Sequence, residues 1–300
     1  MTPGPLLGAA LAAAASSASP PAQPQQRQLS CTLADSGLSY ACHRSGEMVM
    51  SGAPIACFVD GEWHIAGKTL SLVNAGPVYG SDAIGKFTGK RLRWKAGRQQ
   101  GSIVTFVTTV RNYDSAVVFE YGFPDGANGT AHHPTPDPVF PWRAAHSTIA
   151  NFPAMASVAP RRALSWQDAF ITPQLELATG PNAGVSIFMD DASGSADVLV
   201  ASPLNHFIGS STGNTLADGQ PAAWSLGLAS TIKSLPPGFT HSLILYAGVG
   251  VTQAIHDWGS LQLRLANSSK IADPTLTKLS YQTGTLSVYL GPWWSYLSDR

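Results

Sequence analysis

Three hundred residues carrying 18 Lys and Arg against 18 Asp and Glu have no net charge, which excludes an electrostatic draw toward nucleic acid or acidic lipid. Charged residues make up 12% of the chain, about half of the roughly 25% usual in soluble domains. The 29 Gly, 22 Pro and many short apolar runs, with no long helical pattern, favour an all-β fold built as one large antiparallel sandwich.

From the N-terminus, residues 6–15 are apolar, and Ser16-Ser17-Ala18-Ser19 supplies the small residues of a cleavage region. Residues 1–19 are therefore expected to be a secretory signal peptide, too short to span a bilayer. Residues 20–30, rich in Pro and Gln, read as a flexible spacer, and the β-sandwich is expected over 31–250. The expected location is extracellular or the endomembrane lumen, with no membrane or nucleic-acid partner.

Cys31, Cys42 and Cys57 lie in the first fifth of the chain. The first two bracket Asp35-Ser36-Gly37, a turn signal, so a hairpin would join them as a disulfide in an oxidising compartment. Cys57 is left over, as a small buried hydrophobe. Three thiols without His at finger spacing give no zinc pattern, and no metal or cofactor is expected. Asn128-Gly-Thr and Asn267-Ser-Ser are N-glycosylation sequons for a secreted chain.

Residues 103–110 (IVTFVTTV) and 116–123 (AVVFEYGF) read as a hairpin around residues 112–115. Four prolines, at 134, 136, 138 and 141, exclude regular structure from 129–141. Further strands are expected at 163–169, 174–178, 184–189, 197–201, 223–230 and 242–247, a spacing of about ten residues between turn signals that suits a sandwich. A helix opens near Thr252, with Val251, Ile255, Trp258, Leu261 and Leu265 forming its apolar stripe. Asn267-Ser-Ser closes it, and Pro274 prevents its restart.

Several motifs invite chemistry that their context does not support. Gly209-Ser-Ser-Thr-Gly213 matches a nucleophile elbow at Ser211, but loop composition follows where a helix is required, so it reads as a polar turn. Gly248-Val-Gly250 lacks the third glycine of a dinucleotide fingerprint, because Gln253 stands there; a tight strand-to-helix turn suffices. Asp190-Asp191 belongs to a turn, and His132-His133 to a solvated loop. Glu120, Asp168, Glu176 and Asp197 are scattered on expected strands, and glycosidase chemistry needs two carboxyls about 5–10 Å apart. Of the tryptophans, Trp166 and Trp224 are expected in the core. Trp142, after the proline-rich stretch, is the candidate carbohydrate-contact residue.

Phe119-Glu-Tyr-Gly-Phe-Pro124, Gly184-Val-Ser-Ile-Phe188, Ser202-Pro-Leu-Asn-His-Phe207 and Leu235-Pro-Pro-Gly-Phe239 occur in that order. Trp258-Gly259 and Leu276-Thr-Lys-Leu-Ser-Tyr-Gln-Thr283 follow. Over residues 100–283 this resembles the N-terminal β-supersandwich of secreted glycosidase-like proteins related to the α-galactosidase and raffinose-synthase group. The resemblance implies a linker helix over 251–270, leading into a (β/α)8 barrel that holds the catalytic aspartates. Residues 271–300 begin like a barrel's first strand, then depart from it after Thr283, where Gly284-Thr-Leu-Ser stands in place of Thr-Asp-Asn-Gly. A barrel takes at least about 200 residues, so the departure fits either a truncated or misjoined gene product or a genuine short form, and no catalytic aspartate carries over.

The expected function is a non-catalytic domain of a secreted glycoside-hydrolase-like protein, packing on or assisting a sugar-processing barrel. The alternative is a free-standing carbohydrate-binding or adhesion module using Trp142.

Overall fold

The computed structural model describes residues 28–96, 103–132, 148–158, 162–167, 170–173, 180–181, 185–189, 197–215 and 223–267. Five short strands come first: β1 (Leu29–Leu33), β2 (Tyr40–Arg44), β3 (Glu47–Gly52), β4 (Ala56–Val59) and β5 (Glu62–Ile65). Two long ones follow, β6 (Leu70–Ser81) and β7 (Lys86–Ala96), and then the expected hairpin of β8 (Val104–Asn112) and β9 (Ala116–Phe123). The middle of the chain supplies β10 (Ala127–Asn128), β11 (Ala154–Val158), β12 (Arg162–Gln167), β13 (Phe170–Pro173), β14 (Gly180–Pro181) and β15 (Ser186–Met189). After β16 (Asp197–Pro203) come β17 (Ser210–Thr215), β18 (Ala223–Leu228), β19 (Ser234–Leu235) and β20 (Phe239–Val249), and the chain then enters helix α1 (Val251–Leu265).

The result is an antiparallel β-sandwich. A seven-stranded sheet, in the order β1-β2-β3-β11-β18-β17-β14, faces a nine-stranded sheet, in the order β13-β12-β15-β16-β20-β9-β8-β7-β6. Alternation decides which side chains meet between them. From the large sheet Leu92, Trp94, Phe106, Phe119, Tyr121, Phe123, Leu243 and Leu245 point inward, against Leu29, Tyr40, Met155, Trp224, Leu226 and Leu228 of the small one. The Phe188 and Trp224 rings meet edge to face across the gap, with centroids 5.5 Å apart.

Polar clamps tie the sheets where apolar packing thins. The Asn112 side chain accepts from the Cys31 amide at 2.7 Å and donates to the Cys31 carbonyl at 3.0 Å. It thereby reproduces, with one side chain, the pairing that a neighbouring strand would have made. At the other end, buried Arg44 donates to the carbonyls of Val198 and Gly248 and pairs with Asp197 at 3.5 Å.

Cys31 and Cys42 face each other in the β1–β2 register and are joined as expected, and Cys57 is buried. The disulfide closes a separation of 11 residues, so loop-closure entropy predicts that Cys31→Ser/Cys42→Ser loses about 3 kcal/mol. A lower urea midpoint at unchanged slope is the expected reading.

Two expectations are corrected. Gly209-Ser-Ser-Thr-Gly213 is not a polar turn: it runs into β17, which pairs residue for residue with β18, and Ser211 is only 1% exposed. Small hydroxyls and glycine let a strand of polar composition lie under a covering layer. On the helix, Ala254 is buried and Ile255 is 39% exposed, so the packed stripe is Val251, Ala254, Trp258, Leu261 and Leu265. The contact surface is phased by Ala254, whose small side chain lets the helix approach β20 closely at Gly248.

Candidate functional site

The outward face of the nine-stranded sheet divides into a covered half and an open half. Val118, Ile244, Val198, Val200, Ile187 and Met189 project outward from β9, β20, β16 and β15, and α1 lies over them through Ala254, Trp258 and Leu261. The indole nitrogen of Trp258 donates to Ser202 Oγ at 2.8 Å, and Gln262 donates to the Pro203 carbonyl at 3.3 Å. The helix ends its contact there. Toward β8 and β7 the outward positions turn polar, as an uncovered sheet face requires.

A continuous polar network occupies that boundary. Glu120 Oε2 accepts from Arg111 at 2.9 Å and from Ser242 Oγ at 3.1 Å, and the Ser242 amide donates to Asn205 Oδ1 at 2.9 Å. Arg111 also reaches Asp82 at 3.5 Å, which accepts from the Tyr113 hydroxyl at 2.6 Å. The Phe87 ring lies beneath the Arg111 guanidinium and 5.5 Å from the Tyr113 ring. Burial, and next the hydrogen bond to Asp82, pushes the Tyr113 hydroxyl above its ordinary value. Burial and then the charge of Asp257 act in the same direction on Tyr246. Both phenols are therefore neutral donors at physiological pH.

A depression lies on each side of this network. The larger, about 720 Å³, is bounded by α1 and the two turns that lead into β7 and β9; its polar lining comes from Lys86, Tyr113, Asp114, Tyr246, Asp257 and Arg264. Hydroxyls, carboxylates and cations beside two aromatic rings suit a polyhydroxylated ligand better than an apolar one. The smaller, about 380 Å³, is lined by Pro77, Phe87, Arg91, Thr109, Arg111 and Glu120.

Of the four strand acids singled out in the sequence, Glu120 and Asp197 are among the described residues, and they do not form a hydrolytic pair. Glu120 stands opposite Ser242 and Asp197 opposite Val249, seven positions apart along β20. At about 3.3 Å per residue, that is roughly 23 Å, well beyond the 5–10 Å a glycosidase pair spans. Each acid is also committed, Glu120 to Arg111 and Asp197 to Arg44. Among the described residues no group of three or more His, Cys, Asp or Glu is placed to hold a metal ion.

Trp142, Trp166's side chain, Asp168, Glu176, Asp190, Asp191 and His133 lie outside the described residues or side chains. Trp224 is in the core, 4% exposed. Both sequon asparagines are on the surface, Asn128 in β10 and Asn267 just past α1 with φ 47°. Cys57 stands opposite His64 in the β4–β5 pair, and burial pushes its thiol up. His132 is held in a ring cluster with Phe58 and Trp63 rather than in a solvated loop. Gly248 and Val249 end β20, and Gly250 at φ 71° makes the tight turn into α1. Among the described residues no helix is long and apolar enough to cross a membrane.

Sequence reasoning missed the cleft and the groove. Their residues come from β6, β7, β8, β9, β20 and α1, and of the charged ones the sequence singles out only Glu120.

No protein-family model and no curated protein matches the chain. Among solved structures it is similar to an α-N-acetylgalactosaminidase from Bifidobacterium bifidum in complex with GalNAc, with 10% identity and a TM-score of 0.47 over 79% of this chain and 38% of that one. A glycoside hydrolase family 97 enzyme from Pseudoalteromonas sp. strain K8, in complex with acarbose, gives 11% identity and a TM-score of 0.45 over 74% of this chain and 34% of that one. A β-arabinopyranosidase gives 10% identity and a TM-score of 0.43 over 75% and 39%. These neighbours are glycoside-hydrolase chains. The chain spans little more than a third of the length of each.

Proposed function

We propose that this chain is a non-catalytic β-sandwich domain of a secreted glycoside-hydrolase-like protein, and that it packs on or assists a sugar-processing barrel. The observation that carries the reading is where the family-like motifs fall. Scattered over some 140 residues of sequence, they fall on four neighbouring strands of the large sheet and on the helix that covers it. Phe119-Glu-Tyr-Gly-Phe-Pro124 ends β9, Phe188 lies in β15, Ser202 in β16, Phe239 opens β20, and Trp258 is on α1.

They also touch one another. The Gly238 amide donates to the Pro124 carbonyl at 2.9 Å, the His206 ring stacks on Phe239, and Trp258 donates to Ser202. These contacts support reading the motifs as parts of one scaffold. The separation of Glu120 from Asp197 supports the non-catalytic part, and the mixed polar and aromatic cleft supports contact with saccharide.

The test is an assay of the purified chain on aryl α- and β-glycosides. No turnover above the buffer rate is expected. Hydrolysis that disappears in Glu120→Gln would overturn the reading, because it would place the chemistry in the sandwich itself.

A further inference from the structure

We propose that the uncovered outward face of β7 and β8 is a docking strip for an anionic polysaccharide, one bearing uronate carboxylates or sulfate esters. The hairpin of β6 and β7 carries Lys86, Lys90, Arg91, Arg93 and Lys95 against the single carboxylate Asp82, in a chain whose total charge is zero. A local excess of this size in a neutral protein is a polyanion footprint.

Alternation sorts these cations. Lys90 turns to the other face, where it meets Asp35 and the Leu33 carbonyl. Arg91, Arg93 and Lys95 alternate with buried Leu92, Trp94 and Ala96, so all three project outward, and all three are exposed. Same-face neighbours on a strand repeat at about 6.6 Å, which spreads three charges over about 13 Å.

The strip is partly preorganised. Arg91 Nε donates to Thr109 Oγ1 at 3.2 Å, and Thr109 is only 1% exposed, so the guanidinium is anchored at one nitrogen while its fork remains available to an oxyanion. Arg93 and Lys95 form no ion pair among the described residues. Opposite Arg91 and Arg93 in the register stand Gly76 and Asn74, small uncharged residues that leave the approach open. The groove beside Arg91 and Arg111 adds depth on the same face, and α1 covers β9, β20 and β16 but not β7.

A polysaccharide is favoured over a nucleic acid by the Cys31–Cys42 disulfide, which belongs to an oxidising compartment. Tyr79, 81% exposed beside the groove, offers an open ring on which a sugar face or a base can stack, and the oligonucleotide comparator separates the two.

The test measures binding of the whole chain to immobilised heparin and polygalacturonate at low and moderate salt, with dextran and a single-stranded oligonucleotide as comparators. Expected are salt-sensitive binding to at least one acidic polysaccharide, none to dextran, and weaker binding to the oligonucleotide. Arg91→Gln/Arg93→Gln/Lys95→Gln should bind about tenfold more weakly, while Lys233→Gln, just before β19 of the separate β10–β19 pair, should bind as the parent does. Should the triple variant not fold, Lys95→Glu alone, at an exposed position, should still lose affinity severalfold. The proposal is overturned if neither acidic polysaccharide binds, if dextran or the oligonucleotide binds as tightly, or if the folded strip variant keeps the parent's affinity. None of these results bears on whether the domain is catalytic.

Discussion

Replacing Trp94 with alanine is expected to destabilise the fold by about 4 kcal/mol, the largest single-residue loss predicted for this protein. Trp94 has no exposed surface and projects from β7 into the space between the sheets. Its indole nitrogen donates to Thr108 Oγ1 at 3.0 Å. The far edge of its ring lies over Gly37, where an added Cβ would sit 2.1 Å from the ring and the backbone is at φ +66°. The tryptophan and the glycine thus form one fitted pair, linking the β6–β7 hairpin to the turn between β1 and β2.

Alanine would remove the ring, open a cavity and leave the fully buried Thr108 hydroxyl without its donor. Trp94→Phe keeps much of the apolar contact and should lose about half as much. Urea unfolding of the three proteins reads both values. A loss below about 1 kcal/mol for Trp94→Ala would show that the hairpin is held elsewhere.

Acidification is expected to remove about 4 kcal/mol between pH 7 and pH 3 through one side chain, His241. Its ring has no exposed surface and packs edge-on against Tyr121, and neither ring nitrogen has a hydrogen-bond partner. Burial, and then the neighbouring His206, pushes its pKa down to about 3. In the unfolded chain the imidazole titrates near 6.5. Between those values the unfolded chain binds a proton that the native chain refuses, so the stability present above pH 6.5 drains away as the pH falls toward 3.

At pH 5 the loss should already be about 2 kcal/mol. His241→Phe keeps the ring contact with Tyr121 and has nothing to titrate, so its stability should change less over the same range. The difference between the two pH profiles isolates the contribution of His241. Parallel profiles would falsify the assignment.

The parts of the fold legible in the sequence are those whose pattern is local. The β8–β9 hairpin announces itself by two β-branched runs about a turn, the Cys31–Cys42 pair by its bracketed turn, and α1 by its 3.6-residue period. Even there the stripe was misphased at Ala254, because a small residue at a close approach gives a weaker apolar signal than Ile255 beside it. β6 was invisible for a different reason: Asn74, Gly76, Pro77 and Gly80 are turn formers, and only the long partner β7 makes them a strand. β17 was misread because its seryl and threonyl side chains are covered by other elements, a fact no window of its own sequence contains. The open outward face was beyond reach for the same reason. Arg111, Glu120, Asp82 and Tyr113 meet only once register, turn and helix docking are all in place.

β6 ends the large sheet, so among the described residues one side of a twelve-residue strand has no neighbouring strand. An edge of that length would offer a row of donors and acceptors to any other extended peptide, including a second copy of itself. Two local features interrupt the row. Pro77 has no amide hydrogen to give, and the register slips between Leu72 and Asn74, so the edge does not present an even repeat. The residues that hid this strand from a reading of the sequence therefore have a use once it is folded: they break the pairing pattern that the border would otherwise offer to a second copy.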